Sequence, residues 1–81
     1  MRRRAPQSEL GATLRERFAQ NVRRLRRERG MTQAQLAREA DIGRTFISRI
    51  ETGRFSVTLE TIGALAKALC TSPADLIDSY A

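Results

Sequence analysis

The chain has 81 residues and a mass of 9.1 kDa, which is enough for one domain with a modest core. Fifteen Lys and Arg residues against nine Asp and Glu residues give a formal net charge of +6 at pH 7. Histidine is absent and Cys70 is the only cysteine, which excludes a Cys/His zinc site and an intrachain disulfide.

The positive charge is concentrated in the first two-thirds of the sequence. Residues 1–54 carry 14 arginines against six acidic residues, whereas residues 55–81 carry one lysine against three acidic residues. A polyanion would therefore meet the first part of the chain. No apolar segment approaches the roughly 20 residues that a membrane-spanning helix needs, and no apolar signal core follows Arg2-Arg3-Arg4. We therefore expect a cytoplasmic protein that does not enter the membrane.

The first predicted helix follows a basic arm. Residues 1–10 are predicted to form a flexible arm and residues 11–81 the folded domain, in which helix 1 spans about 13–29. Thr13 and Glu16 have the spacing of a capping box at its start. The apolar side chains of helix 1 recur at helical intervals within one arc: Leu14, Phe18, Val22 and Leu25. The opposite face carries arginines that we expect to be solvated, with direct contact to DNA as the alternative: Arg17, Arg23, Arg24 and Arg27.

Helix 2 is predicted to be short, from Gln33 to Ala40. Thr32 and Gln35 repeat the capping-box spacing at its start. The residues predicted to face inward are Leu36, Ala37 and Ala40. The next turn is Asp41-Ile42-Gly43, because Asp tolerates a left-handed conformation and Gly can cap the next helix.

Helix 3 is predicted from Arg44 to about Glu51 and ends at Gly53. With Ile47 and Ile50 pointing inward, its outer face is polar and consists of Arg44, Thr45, Ser48 and Arg49. Two short helices joined by a tight turn are typical of the helix-turn-helix, in which the second helix enters a DNA groove about 12 Å wide. The outer face suits that role, because arginine can bond guanine at two atoms, while threonine and serine offer hydroxyl groups.

The last two helices are predicted to close the core. Thr58 caps helix 4, and the apolar stripe of this helix is Leu59, Ile62, Leu65, Ala66 and Leu69. Ser72, Pro73 and Asp75 form a strong start for helix 5, which is predicted over about 73–79. No segment of useful length alternates with period two, so the expected fold class is all-α with five helices.

The C-terminal residues indicate contact with a second chain. Leu76, Ile77 and Tyr80 are more apolar surface than so short a terminal helix can hide within one chain, so we expect a dimer interface there. Packing onto helix 1 is the alternative. Cys70 is expected to be a small, buried apolar residue, since the chain has no second cysteine for redox pairing.

Three segments in order carry a resemblance to a known family: GMTQAQLA at Gly30–Ala37, ISRIETG at Ile47–Gly53 and TLETI at Thr58–Ile62. Over roughly residues 18–78 the chain resembles the lambda-repressor/Cro-like, XRE-type helix-turn-helix regulators. The run Arg44-Thr45-Phe46-Ile47-Ser48 further resembles the restriction-modification controller proteins within that family. The resemblance implies a five-helix lambda-repressor-like domain with the helix-turn-helix at helices 2 and 3.

The resemblance also implies roles for individual residues. Gln33 matches a glutamine that binds a DNA phosphate and supports helix 3, and Arg54 matches a loop residue that contacts the DNA backbone. Arg26 and Glu51 match a pair that links helix 1 to the end of helix 3. The residues that match base-reading positions, or share their face, are Arg44, Thr45, Ser48 and Arg49.

Three positions depart from the family's pattern. Asp41 stands where a turn glycine is common, Gly43 stands where a capping serine is common, and Phe55-Ser56-Val57 replaces a common Asn-Pro-Ser loop. The first two departures affect the geometry of the turn and so the angle of helix 3. The third affects whether the loop after helix 3 contacts DNA as it does in relatives.

The functional hypothesis is a homodimeric regulator that binds an inverted-repeat operator in double-stranded DNA, with RNA polymerase as a further contact and restriction-modification genes under its control. The alternative is an antitoxin whose main partner is a protein toxin and whose DNA binding is autoregulatory. We expect no enzyme activity, no catalytic residue, no metal and no cofactor, since the sequence offers no histidine base and no phosphate-binding glycine loop.

Overall fold

A computed structural model of the chain describes residues 7–78, and these residues confirm the all-α prediction. The helices are α1 (Gln7–Glu28), α2 (Gln33–Ala40), α3 (Arg44–Ile50), α4 (Leu59–Ala68) and α5 (Pro73–Ile77). Tyr80, which is expected at a dimer interface, and the first six residues of the expected arm lie outside the described residues. Among the helices described, none is long and apolar enough to cross a membrane.

The first helix is longer than predicted. α1 begins at Gln7, so residues 7–10 form its first turn rather than the end of an arm. No proline or glycine occurs between positions 7 and 10, and the carboxylate of Glu9 lies in the first turn, where the helix dipole favours negative charge. Thr13 and Glu16 are therefore inside the helix, and the capping box predicted there is wrong.

Side-chain caps begin three of the helices at the predicted residues. Thr32 Oγ1 accepts from the Gln35 amide at 3.0 Å, and Gln35 Oε1 accepts from the Thr32 amide at 2.8 Å, which is the full capping box of α2. The side chains of Thr58 and Ser72 likewise cap α4 and α5. These starts depend on residues close in sequence, which is why local patterns predict them.

The core is built from apolar side chains of all five helices. The largest fully buried ones are Val22, Leu36, Ile47, Ile50, Leu65, Leu69 and Leu76. Two residues of the predicted apolar stripes are not buried, since Leu14 is 46% exposed and Leu59 is 81% exposed. Burial along α4 decreases toward its N-terminus, through the partly buried Ile62, because the first turn of this helix lies beyond the packed core.

The last helix, α5, packs onto α1. For the C-terminal residues this is the alternative to the predicted dimer contact. Leu76 is fully buried, and α5 contacts α1. The predicted dimer role is therefore wrong for Leu76, since its side chain is already covered within one chain. Asn21 fastens this contact, because its buried Nδ2 donates to the carbonyl of Leu76 at 2.9 Å and to that of Asp78 at 3.0 Å.

Cys70 is exposed, so its predicted burial is wrong. It lies just after the end of α4 with a φ of 55°, a left-handed conformation that commonly ends helices and favours glycine. Its position after the end of the helix leaves the side chain exposed rather than packed in the core.

Candidate nucleic-acid interface

The turn between α2 and α3 has the conformation that its residues favour. Asp41 has φ 57° and ψ 48°, and its amide donates to the carbonyl of Arg38 at 3.3 Å. The amide of Ile42 donates to the carbonyl of Ala37 at 2.9 Å, which closes the end of α2. Gly43 is the N-cap of α3 and makes no side-chain cap bond. The chain thus keeps a tight helix-turn-helix with an aspartate in the left-handed position.

The third helix separates its residues into two faces. Ile47 and Ile50 are buried at 0% and 1% exposure, and they hold α3 against the core. The side chains left on the solvent face are those expected there: Arg44, Thr45, Ser48 and Arg49. Packing alone therefore presents two guanidinium groups and two hydroxyl groups on one short helix.

Glu51 lies just after α3 and makes a buried ion pair with Arg26 of α1. Arg26 Nε is 2.7 Å from Glu51 Oε2, and Arg26 Nη2 is 3.0 Å from Glu51 Oε1. The side chains are only 11% and 5% exposed. The hydrogen bond from Glu51 raises the pKa of Arg26 above its ordinary value, against the opposing effect of burial.

The same carboxylate also holds Gln33, the first residue of α2. Gln33 Nε2 donates to Glu51 Oε1 at 3.0 Å. Arg26 in addition donates through Nη1 to the carbonyl of Met31 at 2.9 Å. The structure therefore brings Arg26, Gln33 and Glu51 into one cluster that joins α1, the start of α2 and the end of α3. The Gln33 side chain keeps one further N–H, which can donate to an anion at the N-terminus of α2.

One arginine of the face expected to be solvated belongs to this cluster. Arg23 is partly buried, and its Nη1 donates to the backbone carbonyl of Glu51. The prediction of a fully solvated arginine face is therefore wrong for Arg23, because α1 turns this side chain toward the end of α3. Arg17 and Arg24 are partly buried as well. Arg27, by contrast, is exposed.

Arg54 lies in the loop after α3 and is exposed. Its amide donates to Thr52 Oγ1 at 3.3 Å, and that hydroxyl donates to the carbonyl of Arg49 at 2.6 Å. Gly53 has φ +80° and is buried, and a Cβ added there would lie 3.5 Å from the Cα of Glu16. The loop backbone thus lies close to α1, in a conformation that glycine adopts without strain.

Two features of this region are not predicted from the sequence. The rings of Phe46 in α3 and Phe55 in the loop meet edge to face, with centroids 4.9 Å apart and an interplanar angle of 87°. No local pattern joins them, since their contact depends on the path of the loop. The second feature is the burial of Asn21, for which the sequence holds a signal, because this residue lies at the edge of the apolar arc of α1.

An apolar groove of about 240 Å³ lies between α1, the loop after α3 and α5. The apolar side chains lining it are Leu14, Phe18, Phe55, Val57, Ile62 and Ile77. Ile77 is 36% exposed, so it is the one member of the predicted dimer set that the described residues leave at the surface. Within residues 7–78 no cluster of acidic or sulfur side chains could hold a metal ion.

Comparison with known proteins points to one family. Residues 17–78 match the helix-turn-helix domain family. The chain is 45% identical over 62 residues to the control protein C.BamHI of Bacillus amyloliquefaciens. This match covers 75% of this chain and 76% of that protein. Its structure is similar to that of the restriction-modification controller protein C.AhdI from Aeromonas hydrophila, with a TM-score of 0.74, 34% identity and coverage of 76% of this chain and 94% of that one.

A further similar structure includes DNA. It is the restriction-modification controller protein C.Esp1396I, solved as a tetramer in complex with its natural 35 base-pair operator. The TM-score is 0.72 at 30% identity, and the match covers 78% of this chain and 83% of that one.

Proposed function

The chain belongs to the helix-turn-helix controller proteins of restriction-modification systems, and we propose that it is a sequence-specific transcriptional regulator that binds an inverted-repeat operator as a homodimer. The observation that carries this proposal is the solvent face of α3. Core packing of Ile47 and Ile50 leaves that face polar, cationic and exposed.

In the proposed complex α3 enters the major groove. Arg44, Thr45, Ser48 and Arg49 are exposed together on this helix, and arginine at such a position can donate two hydrogen bonds to guanine O6 and N7. The solvent face of α3 is therefore assigned to base recognition.

The backbone of the DNA is contacted on either side of that helix. Gln33 would donate to a phosphate through the N–H that Glu51 does not use, with the N-terminus of α2 adding favourable dipoles. Arg54 would contact a second phosphate from the loop. Contacts of this kind position the protein without reading sequence.

The partner in the homodimer is proposed to cover the surface around Ile77. The groove beside Ile77 is lined mainly by apolar side chains, together with Arg15 and Ser56, and exposed apolar surface of this kind is typical of interfaces. Two copies related by a two-fold axis would present their α3 helices to successive major grooves about 34 Å apart. RNA polymerase is the further partner proposed for promoters at which the dimer activates transcription.

Selection of binding sites from random DNA duplexes tests the function. The purified full chain is expected to enrich an inverted repeat, because a symmetric dimer presents two copies of α3. Enrichment of no sequence at all would contradict the proposal, and enrichment of a single unrepeated site would contradict the dimer.

Substitutions then test which residues read bases. Arg44→Ala or Arg49→Ala should cost about 1 to 3 kcal/mol of binding to the selected duplex and relax its sequence preference, whereas Arg54→Ala should weaken binding to all sequences alike. Lys67→Ala is the matched control, since it removes one exposed positive charge from α4. If Arg44→Ala and Arg49→Ala leave the preference unchanged, α3 is not the reading helix.

A further inference from the structure

The loop after α3 holds Arg54 between two points of attachment. On the N-terminal side, Thr52 Oγ1 donates to the carbonyl of Arg49 and accepts from the amide of Arg54. Gly53 then brings the backbone against α1. These contacts restrain the chain before Arg54, yet the position of Arg54 also depends on the residue after it.

On the C-terminal side the attachment is aromatic. The ring of Phe55 meets that of Phe46 at 4.9 Å and nearly at right angles, so the residue after Arg54 is joined directly to the helix that carries Arg44 and Arg49. Edge-to-face pairs are directional, because the positive edge of one ring meets the negative face of the other. Both rings are partly buried against the core, which limits their freedom further.

We propose that Phe55 is a positioning residue, which through its contact with Phe46 sets the place of Arg54 relative to α3 and so couples the backbone contact to base reading. The inference rests on the proposed function, because it assigns Arg54 to a DNA phosphate. Phe55 itself touches no DNA in this arrangement. Its side chain faces Phe46 on one side and lines the apolar groove on the other.

The test compares Phe55→Leu with Phe55→Tyr. Leucine keeps apolar bulk but removes the ring, whereas tyrosine keeps the ring and should rescue the effect. Leu69→Val is the control for reduced stability, since it removes a methylene group from the buried core outside both the loop and the groove. The probe is the duplex that the wild-type chain selects from random DNA, and binding is measured over a range of salt concentrations.

Removal of a phosphate contact has a signature that reduced stability does not have. Because Phe55 also lines the groove proposed for the dimer contact, sedimentation equilibrium first checks that each variant associates as the wild-type chain does. The slope of log K against log salt should become shallower by about 0.9 for each phosphate that is no longer contacted, so by about 1.8 for a dimer. Phe55→Leu should show this change, as should Arg54→Ala, and the double variant should show no further change. Phe55→Tyr and Leu69→Val should keep the wild-type slope.

The inference would be overturned if Phe55→Leu had the same salt slope as the wild type. It would also be overturned if the changes in slope caused by Phe55→Leu and Arg54→Ala added in the double variant. Hydrogen exchange of the Arg54 amide gives a second measurement that needs no DNA. Exchange should quicken in Phe55→Leu and stay unchanged in Leu69→Val, and equal exchange in both would also overturn the inference. Failure of the wild-type chain to select any duplex would instead defeat the proposed function, and the inference with it.

Discussion

At the scale of single residues, Glu51 has the most consequences for the site. One buried carboxylate accepts from Arg26 at both oxygens and from Gln33 at one of them. Because a carboxylate has about four lone-pair sites, these bonds can form together. The residue proposed to bind a phosphate is therefore held by the same group that fastens α3 to α1.

Removing the charge of Glu51 should destabilise the whole domain. Glu51→Gln leaves the Arg26 guanidinium, only 11% exposed, without its counter-charge, and the expected loss in the free energy of unfolding is about 3 kcal/mol. Urea denaturation followed by circular dichroism measures it. Glu28→Gln is the control, because it breaks an i,i+4 pair with Arg24 in which the Glu28 side chain is 51% exposed, and it should cost at most about 0.5 kcal/mol. Equal losses of unfolding free energy in the two variants would show that burial of the Arg26–Glu51 pair adds nothing to the stability of the domain.

Much of the site could be predicted at this scale, for a physical reason. The apolar positions of α3 decide which way Arg44 and Arg49 point, so periodicity suffices to place them. The bond between Gln33 and Glu51 could not be predicted in that way. It joins residues 18 positions apart and exists only once α2 and α3 have packed.

At the scale of helices, left-handed residues end two of the elements without glycine. Asp41 has φ 57° after α2, and Cys70 has φ 55° after α4. Asp tolerates this conformation because its short polar side chain can bond locally, whereas Cys gains nothing comparable. Cys70 therefore adopts a left-handed backbone conformation that is unfavourable for its residue type.

Cys70→Gly should stabilise the domain. The left-handed conformation costs an L-residue roughly 1 to 2 kcal/mol, and the greater freedom of glycine in the unfolded chain offsets part of the gain. The expected net increase in the free energy of unfolding is about 1 kcal/mol, measured by thermal or urea unfolding. Cys70→Ala is the control, because it removes the sulfur but keeps the backbone penalty. A gain in Cys70→Ala as large as that in Cys70→Gly would assign the effect to the thiol rather than to φ.

Helix boundaries divide into those with local causes and those without. The starts of α2, α4 and α5 depend on side-chain caps at Thr32, Thr58 and Ser72, and the sequence predicts them. The start of α1 could not be predicted in this way, since Thr13 and Glu16 have the spacing of a capping box but lie inside a longer helix. The burial of Leu76 depends on α1 lying across α5, a contact that no pattern within residues 73–79 contains.

At the scale of the whole molecule, α1 extends beyond the segment shared with the family. The family match begins at residue 17, whereas α1 begins at Gln7, and the extension contributes Leu14 to the apolar groove. Leu10, one turn earlier, is 51% exposed. The groove therefore joins residues inside the match, such as Ile77, to apolar surface that lies outside it. A second copy would bury both in one contact.

Ile77→Lys should disrupt the proposed homodimer. A charged side chain at the groove would have to be buried without a partner, which opposes association. Sedimentation equilibrium is expected to show a monomer for the variant and a dimer for the wild-type chain, and binding to an inverted-repeat duplex should weaken more than binding to a single half-site. Gln20→Lys is the control, since it adds the same charge at an exposed position of α1 away from the groove. Because Ile77 is 36% exposed, the variant should still fold, and thermal unfolding checks that it does. A folded Ile77→Lys variant that still sediments as a dimer would place the interface elsewhere on the molecule.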